Sequence, residues 1–182
     1  MRDTIETNRL TLRPFMASDA ATVATLVGDW DVARMCARIP HPYGEDDAKQ
    51  WFASQPKARA EGAAFTFAVA GARDGVIGAM GLTRRGADEM FEIGYWLGKP
   101  FWNRGYATEA GAALLAHAVE DLNETRFHAQ HFEENQASGV VLQKLGFAYT
   151  GDVRAMHCLA RATKLPARLM KRTPLREAVH ES

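Results

Sequence analysis

The residues best able to do chemistry lie between Glu92 and Ala110. An apolar run ends at Gly98-Lys99-Pro100, a short turn carries Asn103, Arg104 and Gly105, and a helix-forming segment starts near Thr108. Strand, glycine turn and helix start together gather free backbone N–H groups and the positive end of a helix dipole around one anion. A pyrophosphate is the natural occupant. Two familiar phosphate loops are excluded: there is no GxxxxGK followed by Ser or Thr, and no GxGxxG with an acidic ribose partner.

What remains resembles the acetyl-CoA loop of the GNAT N-acetyltransferases, (Arg/Gln)-x-x-Gly-x-(Gly/Ala), which reads here as Trp102-Asn103-Arg104-Gly105-Tyr106-Ala107. Trp102 departs from the usual Arg or Gln, yet the run to Ala110 is similar to the branch that includes the ribosomal-protein N-terminal alanine and serine acetyltransferases. Asn135-Gln136-Ala137-Ser138, Val140-Val141-Leu142 and Lys144-Leu145-Gly146-Phe147 resemble the family's N-x-x-S…K-x-G-F helix and turn. Thr7-Asn8-Arg9-Leu10-Thr11-Leu12-Arg13-Pro14 is similar to its opening strand. Ile39-Pro40-His41-Pro42-Tyr43, followed by Asp46-Asp47-Ala48, resembles the branch's substrate-side loop. Together these ordered motifs cover the chain from about Thr7 to Arg172.

The resemblance implies that acetyl-CoA is a co-substrate whose acetyl group passes to a primary amine, a protein N-terminus or a small molecule. Direct attack in a ternary complex is expected; a non-catalytic acyl-CoA sensor is the alternative. Such transfer needs a rigidly held thioester, a neutral amine and a donor for the developing oxyanion. By resemblance, the backbone of Tyr95, Trp96 and Leu97 lies along the pantetheine arm, so side-chain identity there matters little. The amides of Asn103, Arg104, Gly105, Tyr106, Ala107 and Thr108, flanked by Trp102, surround the diphosphate. Gly105 fits because a side chain would block close approach, and Arg104 adds charge at the rim. Asn135 contacts the pantetheine, caps the following helix, or both.

Many members protonate the leaving thiolate with a tyrosine seven residues after this asparagine. Leu142 stands there instead, so Ser138 becomes the candidate donor. Glu92 is the candidate base, set by strand alternation on the face opposite Ile93 and Tyr95; a sheet residue paired with an arginine is the competing reading. His131 is a candidate proton relay. His41 and Tyr43 shape the acceptor pocket, and a backbone N–H near Gly94 or Tyr95 meets the oxyanion. Glu109 reads as a first-turn residue complementing the helix dipole. Cys36 and Cys158 have no histidine at a recognisable spacing, which argues against an acyl-enzyme.

The elements that must position these residues follow from periodicity and turn chemistry. Strands are expected at Leu10–Phe15, Phe65–Ala70, Val76–Leu82, Met90–Leu97, Arg126–Phe132, Tyr149–Leu159 and Ala167–Arg172. Turns fall at Gly71–Gly75, Arg84–Asp88 and Thr163–Pro166. Helices are expected from Ser18-Asp19 to about Val27, from Asp46 to about Ala60, over Thr108–Asp121, and over Ala137–Leu145 up to Gly146. The order implies one α/β (α+β) domain with a mixed, twisted sheet of about seven strands flanked by helices, which is the GNAT architecture. A chain of 182 residues with 47% hydrophobic content supports one full core. Lys plus Arg balances Asp plus Glu at 22 each, against a dedicated nucleic-acid binder. Two widely separated cysteines, no signal core and no membrane-length apolar run point to a reduced, cytoplasmic protein with no metal. A monomer and a homodimer are equally compatible with the sequence.

Overall fold

Along Leu10–Arg13, burial alternates residue by residue, so the segment is a strand with one face in the core. The computed structural model describes residues 1–85 and 90–173. Its strands are β1 (Ile5–Glu6), β2 (Leu10–Arg13), β3 (Ala64–Gly71), β4 (Gly75–Arg84), β5 (Phe91–Leu97), β6 (Phe127–Phe132), β7 (Ala148–Cys158) and β8 (Thr163–Arg172). The helices are α1 (Ala20–Val27), α2 (Trp30–Ala33), α3 (Glu45–Ala60), α4 (Tyr106–Leu122) and α5 (Gln136–Lys144). All eight strands form one sheet in the order β1-β2-β3-β4-β5-β6-β8-β7. Every neighbouring pair is antiparallel except β5 with β6.

The expected architecture is present, with local differences that have physical reasons. The additional strand, β1, is two residues long and carries no readable period. Likewise α2 is a single turn, started where Asp29 Oδ1 accepts the Asp31 N–H at 2.8 Å. The last hairpin turns at Leu159–Ala162, where the Ala162 N–H bonds the Leu159 carbonyl and φ is 49°. Pro166 therefore lies inside β8 opposite Ala155 rather than in the turn. It is tolerated because its missing N–H faces a position just past the end of β6, where its carbonyl accepts from Glu133 at 3.0 Å. Gly86, Ala87 and Asp88 of the expected β4–β5 turn lie outside the described residues.

The sheet is covered on both faces. On one face Phe67, Ile77, Leu82, Phe91, Ile93 and Leu97 pack with Leu114, Leu115 and Ala118 of α4 and Leu142 of α5. On the other, Ala68, Val76 and Trp96 meet Val23 and Val27 of α1 and Phe52 of α3. The turn before α1 is fixed by Asp19, which accepts from Arg13 Nη1 at 2.8 Å, Arg13 Nη2 at 2.9 Å and the Met16 N–H at 2.7 Å.

Burial pushes the Asp19 carboxyl up, but the Arg13 fork and the Met16 amide more than offset it and hold it below its ordinary 3.8. A depressed carboxylate contributes stability above its ordinary pKa and loses it as pH falls through the folded value. Asp19→Asn should therefore cost about 2 kcal/mol at neutral pH. Denaturant unfolding from pH 7 to pH 3 should show wild type and variant converging below about pH 4. A gap that stays constant with pH would contradict this role.

Candidate active site

The parallel pair β5–β6 is in register only at Phe91–Phe127 and Glu92–His128. Beyond Glu92 the two strands part, and Gly94 to Leu97 have no register partner on β6. Gly98 donates to the Ile77 carbonyl at 2.9 Å, which fixes the alternation along β5. The backbone groups of Gly94 and Trp96 therefore point at β4, and those of Tyr95 and Leu97 point into the gap. The Leu97 carbonyl is taken by the Trp102 indole N–H at 2.7 Å. Gly94 is exposed although it sits in a central strand, and nothing lies within 4 Å of where its side chain would begin. A slot thus runs through the sheet.

At the end of this slot β5 passes through a single turn of 3-10 helix, Lys99–Phe101, anchored by the Lys99–Asp31 ion pair at 2.6 Å. Asn103 and Gly105 have φ of 60° and 77°. Those left-handed residues fold the chain so tightly that α4 starts at Tyr106, two residues earlier than Thr108. The first helical bond runs from the Glu109 N–H to the Gly105 carbonyl at 3.0 Å. Among the described residues, the amides of Gly105, Tyr106, Ala107 and Thr108 have no acceptor. Four free N–H groups at a helix N-terminus make an anion cradle. Arg104 is exposed at its rim, its guanidinium 5.9 Å from the Phe101 ring centroid.

On the α4/α5 face, Asn135 caps α5 by accepting the Ser138 N–H on Oδ1 at 3.2 Å. Its side-chain amide makes no hydrogen bond among the described residues and is free to donate. Ser138 Oγ lies 2.8 Å from the Tyr95 hydroxyl, which also reaches the Ser138 carbonyl at 3.2 Å. Burial pushes the Tyr95 phenol up to about 12, only partly countered by its bond to Ser138. The phenol therefore stays protonated at any physiological pH. This side-chain contact went unforeseen, because only the Tyr95 backbone has a role in the resemblance. Nothing local to Tyr95 signals it.

His131 is 5% exposed beneath α5. Its Nδ1 lies 2.8 Å from the Phe132 carbonyl and its Nε2 3.0 Å from the Tyr149 hydroxyl. A carbonyl can only accept, so Nδ1 donates to Phe132, and Nε2 has the Tyr149 hydroxyl as its partner. Both ring nitrogens are occupied. A Cβ on Gly139 would come 2.4 Å from the Tyr149 hydroxyl and 2.9 Å from His131 Nε2, so α5 sits directly on this pair.

Glu92 lies on the opposite face. Its carboxylate accepts from Gln130 Nε2 at 2.9 Å and pairs with Arg85 Nε at 3.4 Å. Tyr43, like Ile39, Phe52 and Trp96, packs against the buried cluster of that same face, and burial pushes its phenol up to about 12. His41 is exposed against Trp30, ring centroids 5.2 Å apart. The geometry thus joins Ser138 to Tyr95 across α5 and β5, and sets Glu92 with the His41–Tyr43 loop beyond the slot. It does not bring His131 to Glu92.

The family model for the acetyltransferase (GNAT) domain matches residues 9–148, and the chain belongs to that family. It is an acetyltransferase, and acetyl-CoA is its co-substrate. It is 30% identical over 154 residues to the uncharacterised N-acetyltransferase p20 of Bacillus licheniformis, covering 84% of this chain and 86% of that one. The ribosomal-protein-S5-alanine acetyltransferase of Vibrio fischeri superposes with a TM-score of 0.79 at 20% identity, over 93% of this chain and 96% of that chain. The microcin C7 self-immunity acetyltransferase MccE, in complex with acetyl-CoA and AMP, gives 0.80 at 16%, over 92% and 93%. No helix among the described residues is long and apolar enough to cross a membrane.

Gly139→Ala should lower Tm by about 5 °C, because the added methyl must push α5 off His131 and Tyr149. Thermal unfolding of the purified variant checks this. An unchanged Tm would show that α5 does not rest on that pair.

Proposed function

We propose that this chain acetylates a primary amine by direct attack on acetyl-CoA within a ternary complex, with the thioester lying in the slot between β5 and β6. The observation that supports this most is the parting of the strands after Glu92, which turns the backbone of Tyr95 and Leu97 towards open space at the mouth of the free-amide cradle. A pantetheine arm satisfies such a strand edge as an added strand would. In this reading the amides from Asn103 to Thr108 hold the diphosphate, and the Asn135 side-chain amide donates to the pantetheine.

The amine approaches on the Glu92 face, between the His41–Tyr43 loop and the Gly94 window. Its nitrogen attacks the thioester carbon, and the oxyanion meets the Tyr95 N–H. Collapse breaks the C–S bond. Ser138 donates a hydrogen bond to the departing thiolate while the Tyr95 phenol donates to Ser138 Oγ. With its phenol held near 12, Tyr95 acts as a fixed hydrogen-bond donor rather than as a proton source. The proton lost by the amine passes to Glu92, which keeps lone pairs free beyond the one used by Gln130. The thiolate takes a proton from solvent water and Glu92 returns the amine's proton to solvent, so the products are the acetamide and free CoA thiol. His131 serves to seat α5.

The likeness to a ribosomal-protein alanine acetyltransferase supports a peptide N-terminus as one acceptor class, and small amines are the other. Purified protein mixed with acetyl-CoA and a panel of both should release free thiol with at least one acceptor. Coenzyme binding without thiol release from any acceptor would favour the acyl-CoA sensor instead. In the responding reaction, Ser138→Ala and Tyr95→Phe should each lower kcat about 10- to 100-fold while leaving the acetyl-CoA KM within about threefold. A KM effect with unchanged kcat would contradict their placement at the sulfur.

A further inference from the structure

Two motifs far apart in the sequence meet at the cradle. Glu109, in the first turn of α4, accepts from the Thr7 hydroxyl at 2.6 Å, from the Arg9 N–H at 2.9 Å and from Arg9 Nε at 2.6 Å. Arg9 Nη1 then donates to the Arg104 carbonyl at 3.0 Å. The Arg9 guanidinium lies over the Tyr106 ring, 4.6 Å from its centroid. One guanidinium therefore spans a helix carboxylate, a loop carbonyl and an aromatic face.

The consequence for the cradle is geometric. A peptide unit is planar and trans, so its carbonyl and the following N–H point in opposite directions. Drawing the Arg104 carbonyl towards Arg9 aims the Gly105 N–H away from Arg9, to the other side of the loop. Without that pull, the Arg104–Gly105 peptide is bordered by a left-handed glycine, whose lack of a side chain leaves the peptide easier to rotate. The second consequence is electrostatic. Glu109 places a negative charge within one turn of the site where an anion would sit. Burial pushes its carboxyl up, but bonds from Thr7 and Arg9 more than offset this and keep it ionised. Left alone it would repel a diphosphate; paired with Arg9 it does not.

We propose that Arg9, locked by Thr7 and Glu109, is a positioning residue for the diphosphate of acetyl-CoA, aiming the Gly105 amide and cancelling the Glu109 charge. The proposal rests on the reading of the Trp102–Thr108 loop as the diphosphate site. Arg9 acts through the loop and touches no reacting atom.

Comparison of acetyl-CoA with S-acetylpantetheine, which carries the thioester arm but no diphosphate or nucleotide, isolates this role. Wild type should show a much lower KM for acetyl-CoA. Arg9→Ala should raise the acetyl-CoA KM about tenfold, leave its kcat within about twofold, and leave the S-acetylpantetheine KM within about twofold. Arg9→Lys should fall between, about threefold, because an ammonium can serve Glu109 or the Arg104 carbonyl but not both in the same fork. If the alanine variant does not fold, the lysine variant gives the same comparison. An unchanged acetyl-CoA KM, or equal losses with both donors, overturns the proposal. A wild-type protein that fails to distinguish the two donors overturns the diphosphate reading beneath it as well.

Discussion

The structure depends on an interruption: β5 and β6 begin as parallel neighbours and stop pairing after Glu92. A central strand edge with unpaired amides is costly unless water or a ligand meets them. The sheet tolerates the break because each strand keeps its other partner, β4 for β5 and β8 for β6. Seven paired residues on one side and six on the other hold the two halves rigid while the gap between them stays open.

The candidate site residues divide across that slot. The cradle, Asn135 and the Tyr95–Ser138 pair lie with α4 and α5, while Glu92, Trp96 and the His41–Tyr43 loop lie with α1 and α3. Each helix layer buries its own apolar cluster against the sheet, so the two sides of the site are held independently. In the proposed reading, substitutions that retune the acceptor side need not disturb the donor side. Tyr95 joins the two, since its backbone lines the gap and its hydroxyl reaches across to α5.

What the sequence reveals is local. The loop is legible because Gly105 and the helix after it are contiguous, and the Asn135 cap because its partner Ser138 is three residues away. Longer elements carry a readable period, whereas β1 and α2 are too short for one. Pro166 misleads as a turn residue because its compatibility with β8 depends on where β6 ends. The Tyr95–Ser138 contact spans 43 positions and the Arg9–Glu109 contact 100, and both depend on strand register and helix placement that no window of sequence contains. Glu109 shows the limit well. Its place in a first helical turn suggests a dipole role, and only the fold reveals that Thr7 and Arg9 converge on it.

Amide hydrogen exchange, followed residue by residue with and without CoA, tests the open strand edge most directly. Binding should slow exchange at Tyr95, Leu97 and Gly105 to Thr108, with little change at Gly94 and Trp96, whose amides already face β4. Protection spread evenly along β5, or absent from both β5 and the α4 N-terminus, would contradict a coenzyme seated in the gap.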